Sequence, residues 1–148
     1  MYNIKEEEGY ETLEECITLG ADQYKEVGGD FQWNLDTQML KLMSDSGLIH
    51  LVVARDENRK IVGYFCNLIN LDLFSKVYQA KEIGIYVAPE HRKGGLFTMM
   101  LKEMEEVLLS NGVRVQHLSF RKGHNEEMPL KFGYKALEIT YEKVLEEE

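Results

Sequence analysis

The chain has 148 residues, of which 44% are hydrophobic and 29% charged, and its formal net charge is −9. Such a length carries one domain with a core of its own, and so negative a balance argues against a nucleic-acid-binding surface. The charge fits a cationic partner such as an amine, and it equally serves solubility alone.

No apolar run approaches membrane-spanning length, and the start Met1-Tyr2-Asn3-Ile4-Lys5-Glu6-Glu7-Glu8 is too acidic for a signal peptide. Cys16 and Cys66 sit on an apolar helix face and in a strand, without CxxC or metal-ligand spacing. Buried reduced thiols, no metal site and a cytoplasmic setting are therefore expected. The closing Glu146-Glu147-Glu148 reads as frayed, solvent-facing chain.

In chain order, Leu13, Cys16, Ile17, Ala21 and Tyr24 mark a first helix, with Thr12 as its cap and Glu15 as the capping-box partner. Gly28-Gly29-Asp30 ends it. Phe31 and Trp33 lead into a second helix, capped by Asn34 or Asp36, that buries Leu35, Met39, Leu42 and Met43. Residues 49–54 and 61–70 form a hairpin around the polar turn Asp56-Glu57-Asn58-Arg59-Lys60. A third strand covers residues 80–87, with Ile83, Ile85 and Val87 on one side and Glu82, Gly84 and Tyr86 on the other.

That strand feeds Pro89, then a basic glycine-bearing turn, then a helix. Phe97, Met100, Leu101, Met104, Val107 and Leu108 form its apolar face, Lys102, Glu103, Glu105 and Glu106 its outer face, and Asn111-Gly112 its stop. The start of a helix offers unpaired N–H groups and partial positive charge, glycines allow close approach, and Arg92 and Lys93 add full charges. The turn is an anion cradle, but neither a Walker A loop nor GxGxxG. Residues 113–120 then read as a strand, which makes a strand–helix–parallel strand unit with the turn at the carboxyl end of its first strand.

Arg92-Lys93-Gly94-Gly95-Leu96-Phe97 resembles motif A of the GCN5-related N-acetyltransferases (GNAT), R/Q-x-x-G-x-G/A. It matches at Arg92 and Gly95 and departs at Phe97, where a small residue is usual. The preceding Tyr-Val-x-Pro-Glu-x-Arg phrase is also typical of that family, and Lys131-Phe132-Gly133-Tyr134 is similar to its K-L-G-F. Pro129 falls where the tyrosine often serving as general acid would stand, and it shortens the last helix. Residues 138–145 read as a final strand. Several of these phrases look like those of small acetyltransferase-like proteins encoded by bacteriophages, whose setting would be the host cytoplasm.

The resemblance implies an α/β fold: a mixed central β-sheet flanked by helices, with a β-strand–turn–helix acetyl-CoA-binding motif, in a single domain over residues 1–148. It implies acetyl transfer from acetyl-CoA to an amine acceptor, with the cofactor held by Tyr86, Val87, Arg92, Lys93, Gly94, Gly95, Leu96, Phe97 and Thr98. The two N-terminal helices and their aromatic loop would sit over a pocket, although Phe31 and Trp33 also suit a core or staple role. No nucleic-acid or membrane partner is expected, and homodimerisation is left open. An alternative is a non-catalytic phage protein of this fold that binds a host factor.

Direct transfer needs a base, because a lysine-type ammonium holds its proton at neutral pH. Glu82 is the first candidate. It stands where several members of the family place a glutamate, between apolar neighbours that would raise its pKa if buried. It could instead pair with a lysine across the sheet. His117, on the next strand, and His124, at the start of the last helix, are the other bases or relays, or hydrogen-bonded structural histidines. Tyr134 and Tyr141 remain for the acid role or for packing.

Overall fold

The computed structural model describes residues 1–146, so Glu147 and Glu148 of the expected frayed end lie outside the described residues. Five strands form one mixed sheet in the order β1 (Asn3–Glu6), β2 (Ile49–Arg55), β3 (Ile61–Leu71), β4 (Tyr78–Val87), β5 (Val115–His117). The first four pair antiparallel, and β5 joins β4 in parallel. On one face lie α1 (Tyr10–Glu15) and α2 (Ile17–Val27), with α3 (Thr37–Asp45) beside them; α4 (Leu96–Ser110) covers the other.

Each face has its own core. Leu96, Met100, Leu101, Met104 and Leu108 of α4 pack on Val52, Ala54, Val62, Phe65 and Ala80, all buried. Each such side chain contributes about 1.5–3 kcal/mol of apolar burial, which makes α4 and the sheet one rigid body. Opposite, Leu13 and Cys16 pack on Leu51, Val53, Tyr64, Cys66 and Tyr86. Arg55 clamps this side: its guanidinium donates to both Glu7 oxygens at 2.8 and 2.9 Å and to Glu15 at 2.9 Å. The hairpin turn is fixed by Asp56 Oδ1, which accepts from the N–H groups of Asn58 and Lys60.

Several expectations are corrected. Helix α1 begins after Gly9 with no side-chain cap, and Thr12 instead donates to Glu7 Oε1 at 3.3 Å. Asp36, not Asn34, caps α3, accepting from Met39 N–H at 2.9 Å. Met39 and Leu42 face solvent, since only Leu40 and Met43 turn towards the domain. The strand over residues 113–120 shrinks to Val115–His117, because its pairing with β4 ends at Lys81↔His117. Residues 138–145 form no strand: a three-residue β5 is too short to template one, and Leu137, Ile139, Tyr141 and Leu145 stay exposed. Pro129 limits the last helix to a 3₁₀ turn, Met128–Phe132, as its ring geometry demands.

Candidate active site

The site grows from a defect in β4. Cys66 pairs with Gly84 and Asn67 with Glu82, so Ile83 is an extra residue, a β-bulge. It breaks the expected alternation. Ile85 and Val87 face α4, whereas Ile83 joins Gly84 on the opposite side. The bulge also bends β4 away from β5, so the two strands part after Lys81 and His117. Below that point β5 is tied across β4 to β3 by an amide pair, buried Asn67 with half-buried Gln116, with both bonds at 2.9 Å.

Beyond the fork, the outer edge of β4 has no strand neighbour among the described residues. Ala88 N–H donates to Val62 O at 2.8 Å. By antiparallel alternation Tyr86 turns its amide to β3, and Ile85 and Val87 turn theirs to the open edge. Side chains meet those carbonyls: Gln23 Nε2 donates to Ile85 O at 3.0 Å and Arg92 Nε to Val87 O at 2.8 Å. Arg92 also grips Glu26 of α2 through two bonds of 2.7 and 2.8 Å, and its guanidinium lies 5.1 Å from the Tyr86 ring centroid. The Tyr86 hydroxyl donates to the same carboxylate at 3.0 Å. The Arg92 bonds, opposed by slight burial and aided by the Tyr86 hydroxyl and nearby His124, hold Glu26 below the usual carboxylate range. Arg92 thus spends its charge across the groove, and Lys93 is left exposed at the turn.

Residues 89–94 form a 3₁₀ turn into α4, and Gly95 is its left-handed hinge at φ 73°. No side chain caps α4 there, so the N–H groups of Leu96, Phe97 and Thr98 face outwards as the first turn of a helix requires. A Cβ at Gly95 would meet nothing within 4 Å, so the approach is open. The turn is braced from the residue before β1, where the Tyr2 hydroxyl bonds His91 Nδ1 at 2.8 Å. Leu96 is buried and Thr98 exposed. The Phe97 ring turns away from the cradle onto Phe120 and Phe132, each 6.4 Å off. The usual small residue is therefore replaced by one that anchors the C-terminal segment.

Glu82 is 9% exposed. Burial pushes its carboxyl up to about 7, only partly offset by the Ser119 N–H it accepts from and by Lys81. His117 is half-buried on β5 opposite Lys81, one residue along from Glu82, whereas His124 stands exposed near Glu26. Among the described residues neither histidine hydrogen-bonds Glu82 or is among the charges that move its carboxyl. A cavity of about 430 Å³ opens between α2 and the forked strands, lined in part by Tyr24, Trp33, Tyr64, Cys66, Ile83 and Ser119. Trp33 is in that lining, against Tyr24 with centroids 5.5 Å apart and itself 39% exposed, while Phe31 is more exposed still. Cys16 and Cys66 are free thiols, both pushed up to about 12 by burial. Tyr134 donates to Glu105 at 3.0 Å, away from this cavity, and Tyr141 is exposed. Gln23, Glu26 and Tyr64 were not singled out from sequence, since nothing local marks them.

A forked sheet with an uncapped helix start at its mouth and a buried carboxyl at its root is the layout of an acetyltransferase-type α/β domain. The acetyltransferase (GNAT) family matches residues 10–129, and the chain belongs to that family. No curated protein matches its sequence. Among solved structures, one similar fold is an aminoglycoside acetyltransferase from an uncultured soil metagenomic sample, in complex with sisomicin. It is 14% identical, with 98% of this chain and 97% of that one covered and a TM-score of 0.78. A second is a predicted acetyltransferase with acetyl-CoA from Clostridium acetobutylicum, at 16% identity, 97% and 96% coverage and a TM-score of 0.78. A third is a ribosomal-protein-alanine N-acetyltransferase from Brucella melitensis, at 13% identity, full coverage of both chains and a TM-score of 0.70.

Proposed function

We propose that this protein transfers an acetyl group from acetyl-CoA directly to an amine acceptor, with Glu82 as the base. The observation that carries the reading is a buried carboxyl with its pKa raised to about 7, on the strand whose outer edge is open. A general base works best when its pKa lies near the working pH. The Ser119 N–H beside it favours its charged form, and Tyr64 and Cys66, both in the cavity lining, lie close enough to feel its charge.

The residues fit the cofactor. Its pyrophosphate would lie on the N–H groups of Leu96, Phe97 and Thr98, with Gly94 and Gly95 allowing close approach and Lys93 adding charge. The open-edge amides of Ile85 and Val87, beside Tyr86, would pair with its pantetheine arm, and the side chains of Gln23 and Arg92 now on those carbonyls would yield to it. Acetyl-CoA supplies an activated acetyl group as a thioester. The chain's own part is to place the amine, exclude water, take up its proton at a Glu82 carboxylate oxygen and return it to the departing CoA thiolate, directly or through water.

The test is Glu82→Gln, followed by release of free CoA thiol in the presence of amines. It should lower kcat on the order of 10²-fold or more, the usual worth of a general base, with the acetyl-CoA Kd unchanged. Equal loss of both would make Glu82 structural. A second reading, a non-catalytic phage protein that binds a host factor, is favoured by one feature: Leu73 and Phe74 are 84% and 100% exposed between β3 and β4. Capture of a host protein that Phe74→Ala abolishes, with no turnover of any amine, would favour it.

A further inference from the structure

We propose that the acceptor is a monoamine carried on an aromatic or apolar body, and that the cavity between α2, Trp33 and the β3–β4 sheet receives that body. This deepens the acetyl-transfer reading and rests on it. Three observations carry it. First, among the described residues no Asp or Glu lines the cavity, Glu82 meeting it only through its neighbours Ser119 and Cys66, and the one lining formal charge is Arg121 at the exposed rim. A polycation entering there would lose water from several ammonium groups without a carboxylate to pair any of them, and each uncompensated burial is costly. Second, the walls are aromatic and aliphatic: Tyr24, Trp33, Tyr64 and Phe120 surround Leu40 and Ile83. Such a surface takes a flat apolar group and adds a cation–π contact to at most one ammonium.

Third, the backbone is cut back to make room. A Cβ at Gly84 would stand 2.9 Å from the Tyr64 ring, and one at Gly20 would stand 3.4 Å from the Trp33 ring and 3.7 Å from the Tyr64 hydroxyl. Gly84 thus lets the Tyr64 ring pack against β4, and Gly20 lets the Trp33 ring and the Tyr64 hydroxyl close on α2, which sets where the aromatic walls of the cavity stand. At about 430 Å³ the cavity has the size of a small-molecule site. An apolar wall has a chemical consequence as well. It disfavours the ammonium form, so a single amine gives up its proton more readily there than in water, and the nearest buried carboxyl to take it is Glu82.

Trp33 is the chain's one tryptophan, so its fluorescence reports the cavity without any need for turnover. We would titrate phenethylamine, hexylamine, spermidine and kanamycin, and measure acetyl-CoA binding separately by calorimetry. Phenethylamine and hexylamine should change the Trp33 emission and be acetylated with the higher kcat/KM, while spermidine and kanamycin should do neither. Gly20→Leu should raise the KM for phenethylamine about tenfold or more by filling the space, with the acetyl-CoA Kd unchanged. Because a leucine there presses on Trp33 and Tyr64, Gly20→Ala, whose Cβ only touches them, is measured beside it and should raise the KM less, with a Tm near the parent's. Preference for spermidine or kanamycin, or a phenethylamine response indifferent to Gly20→Leu, would overturn the proposal. A phenethylamine response that Gly20→Leu removes, in a protein that does not bind acetyl-CoA, would support the pocket and refute the donor reading instead.

Discussion

Glu82 has a cost that can be measured without a substrate. Its carboxyl moves from 4.5 to about 7 on folding because burial disfavours the charged form. Each pH unit corresponds to about 1.4 kcal/mol, so holding Glu82 ionised in the folded chain costs on the order of 3 kcal/mol. The sign is set by proton uptake: between pH 4.5 and about 7 the folded chain binds more protons than the unfolded one, so stability falls as pH rises through that window. Above pH 7 the penalty is complete; below 4.5 it is absent. Glu82→Gln keeps an oxygen for the Ser119 N–H but cannot ionise. It should therefore be more stable than the parent at pH 8, by about 3 kcal/mol or roughly 6–12 °C in Tm, and the gain should shrink steadily towards pH 4.5. Urea unfolding of both proteins from pH 5 to 8 reads this directly. A variant destabilised equally at every pH would refute the buried, uncompensated carboxyl, and with it the reason for choosing Glu82 as base.

Three further outcomes test other links. Gly95→Val forces a branched residue into φ 73°, which should cost about 1–2 kcal/mol. It should also weaken acetyl-CoA at least about tenfold, as loss of a charge-assisted bond would; calorimetry with unchanged Kd would contradict the cradle. Met104→Ala removes a fully buried side chain from the α4 face and should lower stability by about 2–5 kcal/mol, with a smaller loss in urea unfolding implying a looser core. Asp36→Ala deletes the one α3 cap bond and should cost about 1 kcal/mol, leaving acetyl-CoA affinity as it was.

The parts of the fold legible in sequence are those with a local signal. The apolar period of residues 97–108 marked α4, the Asp56–Lys60 turn marked the hairpin, and Gly95 beside Arg92 marked the helix start. Strand β1 had no such signal, for Asn3-Ile4-Lys5-Glu6 carries one apolar residue and is a strand only because β2 pairs with it. The bulge at Ile83 was equally hidden: strict alternation is the default, and an extra residue shows only against the partner strand. Glu82 was legible as a candidate because its neighbours are apolar. The Glu26–Arg92 and Gln23–Ile85 contacts link residues 66 and 62 positions apart, which no spacing rule reaches. The tail misled in the opposite way, since residues 138–145 alternate like a strand but have no long edge to join.

Calorimetric titration of acetyl-CoA, with ATP and NAD as controls, decides whether the turn before α4 takes the cofactor. Selective saturable binding of acetyl-CoA, with a matching rise in Tm because the ligand holds only the folded state, is the predicted result. A folded protein that binds none of the three, or binds ATP and NAD as well as acetyl-CoA, would contradict it.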